Sequence, residues 1–364
     1  MKTLRMLCLL LLAGWHVCSY AAKVYERAVE YSSIDQYGDT ILLSGKISVP
    51  ENTQAKGLIL LLHYTVGANA EVPSQHTLYE ARVFHEDYVL VMPDYIGYGS
   101  TIDRFPPYLH GELTAHNCVD MLLGTHALLT QMLDSLGTSL PSDSILIVGF
   151  SQGGATALWT LKHIEEHYAE QIKVKRCFAG GGPYDVASTY DDALATGQVG
   201  MPLVVPLLVM GTNEAYGLQL NTDNFFTPAM KHFYNRHMAD KERGVVSLVM
   251  LSPQHRLDYW LTEFAMDKTQ AETRLMYEGL LRSSFVHYPL HERACGDVIC
   301  PEWRPQTPLY IFHSYKDDVV PFVNATHLQR CIPSSSSITY DFGSYGGHLR
   351  SLFVFLKSVK KQVD

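Results

Sequence analysis

The sequence predicts an α/β architecture: a mostly parallel central sheet flanked by helices, with a helical cap inserted between late strands. Three observations predict it. Short apolar runs recur along the chain, as at 57–63, 88–92 and 144–149, and such runs fit strands buried on both faces. Segments with helical spacing separate them, which implies right-handed crossovers and a parallel sheet. The rhythm breaks once, from about 184 to 304, in a stretch rich in Tyr, Phe, Met and His that reads as several helices.

Taken in order, residues 25–50 alternate in polarity around Gln36-Tyr37-Gly38-Asp39, which predicts an antiparallel hairpin at a sheet edge. The run 57–63 is the first buried strand, 75–86 a helix, and 88–92 the second strand, closed by Pro93-Asp94. A longer amphipathic helix is expected over 113–136, the third buried strand over 144–149, and a helix over 152–168. Residues 174–179, 307–313 and 337–342 supply three further strands, and the last helix spans about 347–360. The domain reading is therefore a leader at 1–21, a core at 22–186 and 305–364, and a cap at 187–304.

The leader rests on Lys2 and Arg5, an apolar stretch from Met6 to Ala13, and small residues near Ser19-Tyr20-Ala21. It predicts export to the periplasm or the extracellular space. The stretch is short for a membrane span, which needs about 20 residues. The formal net charge of -9, near -11 without the leader's two basic residues, offers no surface for nucleic acid. Five cysteines then remain, an odd number. Cys295 and Cys300 are close enough to close a small loop under oxidising conditions, whereas Cys118 and Cys177 read as buried free thiols. No cysteine or histidine spacing resembles a metal site.

Chemistry enters at Gly149-Phe150-Ser151-Gln152-Gly153-Gly154, where a buried strand ends and a helix begins. The G-x-S-x-G pattern needs that context, because a serine raised on a sharp turn needs small neighbours and gains from the positive helix end. Serine is a weak nucleophile without an adjacent base. In the chain order nucleophile, acid, histidine, only His327 and His348 of the 17 histidines follow the fifth buried strand. His327 sits within an expected helix at 323–330 and reads as a surface or packing residue. His348 ends the glycine-rich segment Gly343-Ser344-Tyr345-Gly346-Gly347 and is the expected general base. The acid is expected in Lys316-Asp317-Asp318-Val319-Val320-Pro321, with Asp317 preferred and Asp318 solvated or capping the helix near Val323. Backbone donors for an oxyanion are expected at Gln152 and at Tyr64 or Thr65.

These residues resemble the secreted lipase/esterase branch of the α/β-hydrolase superfamily. The resemblance is carried by Pro93-Asp94-Tyr95-Ile96-Gly97-Tyr98-Gly99, Pro107-Tyr108-Leu109-His110, the segment around Ser151, Gly182-Pro183-Tyr184, and Pro305-Gln306-Thr307-Pro308 leading to Asp317 and Pro321. It runs from about residue 56 onward and is weakest over 187–302. It implies carboxylester hydrolysis by Ser151, Asp317 and His348 under a helical lid, with Asp94 and Tyr95 supporting the loops. No cofactor is implied, since the triad and oxyanion donors suffice for acyl transfer. The expected partner is a small-molecule or lipid ester. The apolar run 199–210 reads as a lid lining an acyl site or touching lipid, or else as the cap's own core. Tyr184, Phe225, Phe226, Tyr259 and Trp260 are candidates to line the pocket. Two other readings stand beside the esterase: a serine peptidase of the same fold, using Glu263, Glu272 or Glu278 to hold a free amino terminus, and a non-catalytic binding protein.

Overall fold

The computed structural model describes residues 23–141, 144–289 and 298–364, so the leader lies outside the described residues. The chain opens with the expected hairpin, β1 (Val24–Ile34) and β2 (Thr40–Pro50), paired antiparallel from Val24↔Pro50 to Ile34↔Thr40. Its turn is local chemistry: the Asp35 carboxylate accepts the backbone N–H groups of Tyr37 and Asp39, and Gly38 takes a positive φ of 83°. The short runs become β3 (Leu58–Leu62), β4 (Val89–Pro93), β5 (Ile145–Phe150), β6 (Val174–Gly180), β7 (Leu309–Ser314) and β8 (Ile338–Gly343). All are parallel to one another, and β2 joins β4 antiparallel.

The sheet order is β1-β2-β4-β3-β5-β6-β7-β8. The chain passes from β3 outward to β4 and then crosses back to β5 on the other side of β3. This reversal leaves a crevice at the carboxyl ends of β3 and β5, where open α/β sheets bind ligands.

Alternate residues of each strand face opposite layers. Ile59, Leu61, Leu90, Leu146 and Phe178 pack with Phe84 of α1 (Tyr79–Phe84) and Phe355 of α13 (His348–Val363). Leu60, Leu62, Val91 and Ile147 pack with Cys118 of α2 (Gly111–Gly124), Leu158 and Leu161 of α4 (Gln152–His167) and Leu328 of α12 (Val323–Cys331). The single helix expected over 113–136 is two: α2 ends at Thr125, whose hydroxyl donates to the Met121 carbonyl, and α3 (His126–Ser135) restarts to bury Leu129 and Met132.

Between β6 and β7 lie seven helices among the described residues. They are α5 (Val186–Thr196), α6 (Val204–Tyr216), α7 (Pro228–His237), α8 (Val245–Leu251), α9 (Leu257–Trp260), α10 (Glu263–Met266) and α11 (Ala271–Ser283). They have their own core, which includes Leu203, Phe225, Met230, Leu248 and Trp260. No described helix is long and apolar enough to cross a membrane.

Cysteine pairing departs from expectation. Cys300 is joined to Cys331 at the end of α12, not to Cys295, which lies outside the described residues. Cys118 and Cys177 are buried free thiols.

Candidate active site

The turn after β5 is dictated by sterics. Ser151 sits at φ 58° and ψ -123°, a strained conformation for a residue with a Cβ. Its N–H donates to the Gly180 carbonyl at 2.8 Å. A Cβ on Gly149 would lie 2.1 Å from the Gly153 carbonyl oxygen, and one on Gly153 would lie 2.0 Å from that of Leu62. The two glycines therefore let α4 begin directly beneath Ser151 and against β3. The first N–H groups of α4, Gln152 included, have no acceptor within the helix.

Three side chains far apart in sequence form one hydrogen-bonded chain. Ser151 Oγ lies 2.8 Å from His348 Nε2, and His348 Nδ1 lies 2.7 Å from Asp317 Oδ2. Asp317 follows β7 and His348 opens α13, so the carboxyl ends of β5, β7 and β8 supply one member each. The Asp317 side chain is wholly buried. Its other oxygen accepts the Val319 and Val320 N–H groups at 3.0 and 2.8 Å. Burial pushes this carboxyl up, but the His348 and His313 imidazoles and the Val320 N–H hold it below the usual carboxylate range. His313, buried in β7 with Nε2 3.7 Å from Asp317, was not singled out in the sequence because it sits inside an apolar strand.

Asp318 takes a different part. Its Oδ1 accepts the backbone N–H of His348 at 2.8 Å, so it caps α13 and not the helix near Val323. His327 is a packing residue and not a surface one. It is buried in α12, and its Nδ1 lies 2.6 Å from Asp185 Oδ2.

Ser151 and His348 open onto an apolar cavity of about 140 Å³, lined also by Tyr64, Thr65, Tyr108, Met201, Val204, Leu208 and Val245. It adjoins a larger cleft of about 1420 Å³ through Thr189, Val204, Leu208, Val319 and Leu349. The run 199–210 thus divides by helical period: Met201, Val204 and Leu208 face the cavity, while Leu203, Val205, Leu207 and Val209 are buried in the helical layer.

The five aromatic pocket candidates lie elsewhere. Tyr184 is buried in the core between the sheet and the helices α2 and α4, and Phe225, Phe226 and Trp260 fill the core of the helical layer. Tyr259 is half exposed against Trp260. None lines the cavity at Ser151. Large aromatic surfaces are buried first by packing of the inserted helices on one another.

Residues 71–356 match the secretory lipase family. The chain belongs to that family. No curated protein sequence is significantly similar to it. Among solved structures, the ligand-bound rice cell wall degrading esterase LipA from Xanthomonas oryzae superposes with a TM-score of 0.74 at 20% identity, over 93% of this chain and 88% of that one. A Legionella pneumophila protein gives 0.75 at 18% identity, over 100% and 94%. Candida antarctica lipase A in its closed state gives 0.63 at 17% identity, over 94% and 79%. The fold is that of the α/β-hydrolases, and this secretory lipase family member is a hydrolase of the esterase/lipase kind.

Proposed function

We propose that the protein is an exported serine carboxylester hydrolase working through an acyl-enzyme. The observation that carries this reading is the buried chain from Ser151 through His348 to Asp317, at 2.8 and 2.7 Å. His348 takes the Ser151 proton as Oγ attacks the ester carbonyl, then returns it to the departing alcohol. Asp317 fixes the imidazole tautomer and stabilises the imidazolium. The N–H groups of Gln152 and Thr65 receive the oxyanion. Water then repeats the sequence on the acyl-enzyme.

The first residues support export, as does the Cys300–Cys331 bond, since such bonds persist in oxidising compartments. The helices between β6 and β7 act as a cap. Val246, Met250 and Leu251 of α8, exposed beside the cavity and cleft, are its surface for transient lipid contact.

The cavity at Ser151 favours short acyl groups, because about 150 Å³ holds a molecule the size of benzene and a longer chain has to run on into the adjoining cleft. The test is a p-nitrophenyl ester series with aminoacyl amides as competitors, run with wild type and Ser151→Ala. Butyrate should turn over faster than palmitate, and the variant should lose about 10⁶-fold in kcat. Faster cleavage of the amides would favour a peptidase. Wild type left unlabelled by a fluorophosphonate would favour a binding protein.

A further inference from the structure

The loop after β3 runs through His63, Tyr64, Thr65 and Val66, and it lacks the glycine pair that often lets such loops reach an oxyanion. Its backbone is held instead by tyrosines from the segment after β4. Tyr95 donates its hydroxyl to the His63 carbonyl at 3.2 Å, and Tyr98 donates to the Val66 carbonyl at 2.9 Å. Between these anchors, Thr65 Oγ1 lies 2.7 Å from the hydroxyl of Tyr108. Both residues are buried, and both line the cavity that holds Ser151 and His348. They also face Gln152 across a second small cavity.

Two hydroxyls in contact share one proton and leave the other free. Either hydroxyl can donate across this contact, and the greater acidity of the phenol favours Tyr108 as donor and Thr65 as acceptor. Burial pushes the Tyr108 phenol up to about 12, so it keeps its proton at working pH. The Thr65 hydroxyl has no other protein partner among the described residues, so with Tyr108 as donor its own proton is free for a group in the cavity.

We propose that Thr65 gives its side-chain hydroxyl as a third oxyanion donor, and that Tyr108 is the positioning residue that aims it. The proposal rests on the serine-hydrolase reading above. A donor met only by the developing oxyanion lowers the barrier without tightening substrate binding.

The experiment compares full-length wild type, Thr65→Val, Thr65→Ser, Tyr108→Phe and the Thr65→Val/Tyr108→Phe double variant on p-nitrophenyl butyrate. Rates are referred to sites titrated with a fluorophosphonate, so unfolded protein is not counted. Thr65→Val should lose tenfold or more in kcat with KM within about twofold, and Thr65→Ser should recover most of it. Tyr108→Phe should lose several-fold in wild type and nothing further on the Thr65→Val background. A Thr65→Val variant within twofold of wild type, a Thr65→Ser variant as slow as Thr65→Val, or additive losses would each overturn the proposal. Failure of the serine reading looks different: wild type takes up no fluorophosphonate, or Ser151→Ala keeps its turnover.

Discussion

At the scale of single residues, the site combines one strained backbone with several buried groups whose charge the fold controls. Glu80 shows this control most clearly. It lies on α1 beneath the loop that carries Tyr64, fully buried, with neither carboxyl oxygen hydrogen-bonded to a side chain or backbone group at normal distance. Burial pushes its pKa up to about 7, only partly opposed by the nearby backbone N–H groups of Glu80 itself and of Tyr64. Between pH 4.5 and 7 the native state therefore keeps a proton that the unfolded chain has released. Stability must fall as pH rises through that window, by about 3 kcal/mol in all. Glu80→Gln removes the titrating group. Urea denaturation at pH 5 and pH 8 should show the variant gaining on wild type at the higher pH, whereas parallel profiles would remove Glu80 as the cause. Ser151 and His348 were legible because a fixed chain order and a glycine-rich turn mark them. Glu80 carries no such mark, and Thr65 and Tyr108 are marked only as a backbone donor and as part of a family segment, because the contact between their side chains joins residues distant in sequence.

At the scale of elements, the sheet was legible because a strand buried on both faces must be apolar throughout, and few other structures ask for that in six residues. The split of α2 from α3 was hidden because Thr125 satisfies its hydroxyl locally without interrupting the apolar period. The seam between core and inserted helices was hidden for the same reason as Glu80. Asp185 caps α5 through the Ser188 N–H and lies 2.9 Å from His287 Nδ1, 2.6 Å from His327 Nδ1 and 3.2 Å from the Tyr288 N–H. It thereby joins the first inserted helix, the segment after the last one, and α12. Burial raises its pKa, but the two histidines and the Ser188 N–H bring it down to about 2. Its folded pKa is depressed, so its contribution is present above pH 3.8 and disappears as pH falls through 2. Asp185→Asn should cost about 3 kcal/mol at pH 7, the order expected when a buried carboxylate that accepts several hydrogen bonds is lost. The variant should also show a flatter acid limb in pH-dependent denaturation. An unchanged midpoint at pH 7 would mean the seam is held by packing alone.

At the scale of the whole molecule, the core of the sheet and the core of the inserted helices meet at the cavity at Ser151, which is walled by both. The second core can place Val204, Leu208 and Val245 beside His348 only while the segments that leave and rejoin the sheet stay fixed. The Cys300–Cys331 bond acts on that return. It ties the chain just before β7 to the end of α12, closing a loop with a sequence separation of 31 residues. Cys295 is the cysteine nearest Cys300 in sequence, yet a disulfide follows distance in space, and only folding brings α12 beside residue 300. A loop of this size restricts the unfolded chain enough to contribute about 3–4 kcal/mol. Reduction, or the Cys300→Ser/Cys331→Ser double variant, should lower the melting temperature by roughly 4–6 °C for a protein of this size. Neither cysteine lines the cavity, so turnover per titrated serine at 25 °C should stay within about twofold. A melting temperature indifferent to reductant would show that the bond adds nothing to the fold. Lost turnover in folded, reduced protein would instead mean that the position of α12 is transmitted through Asp185 to the cavity wall.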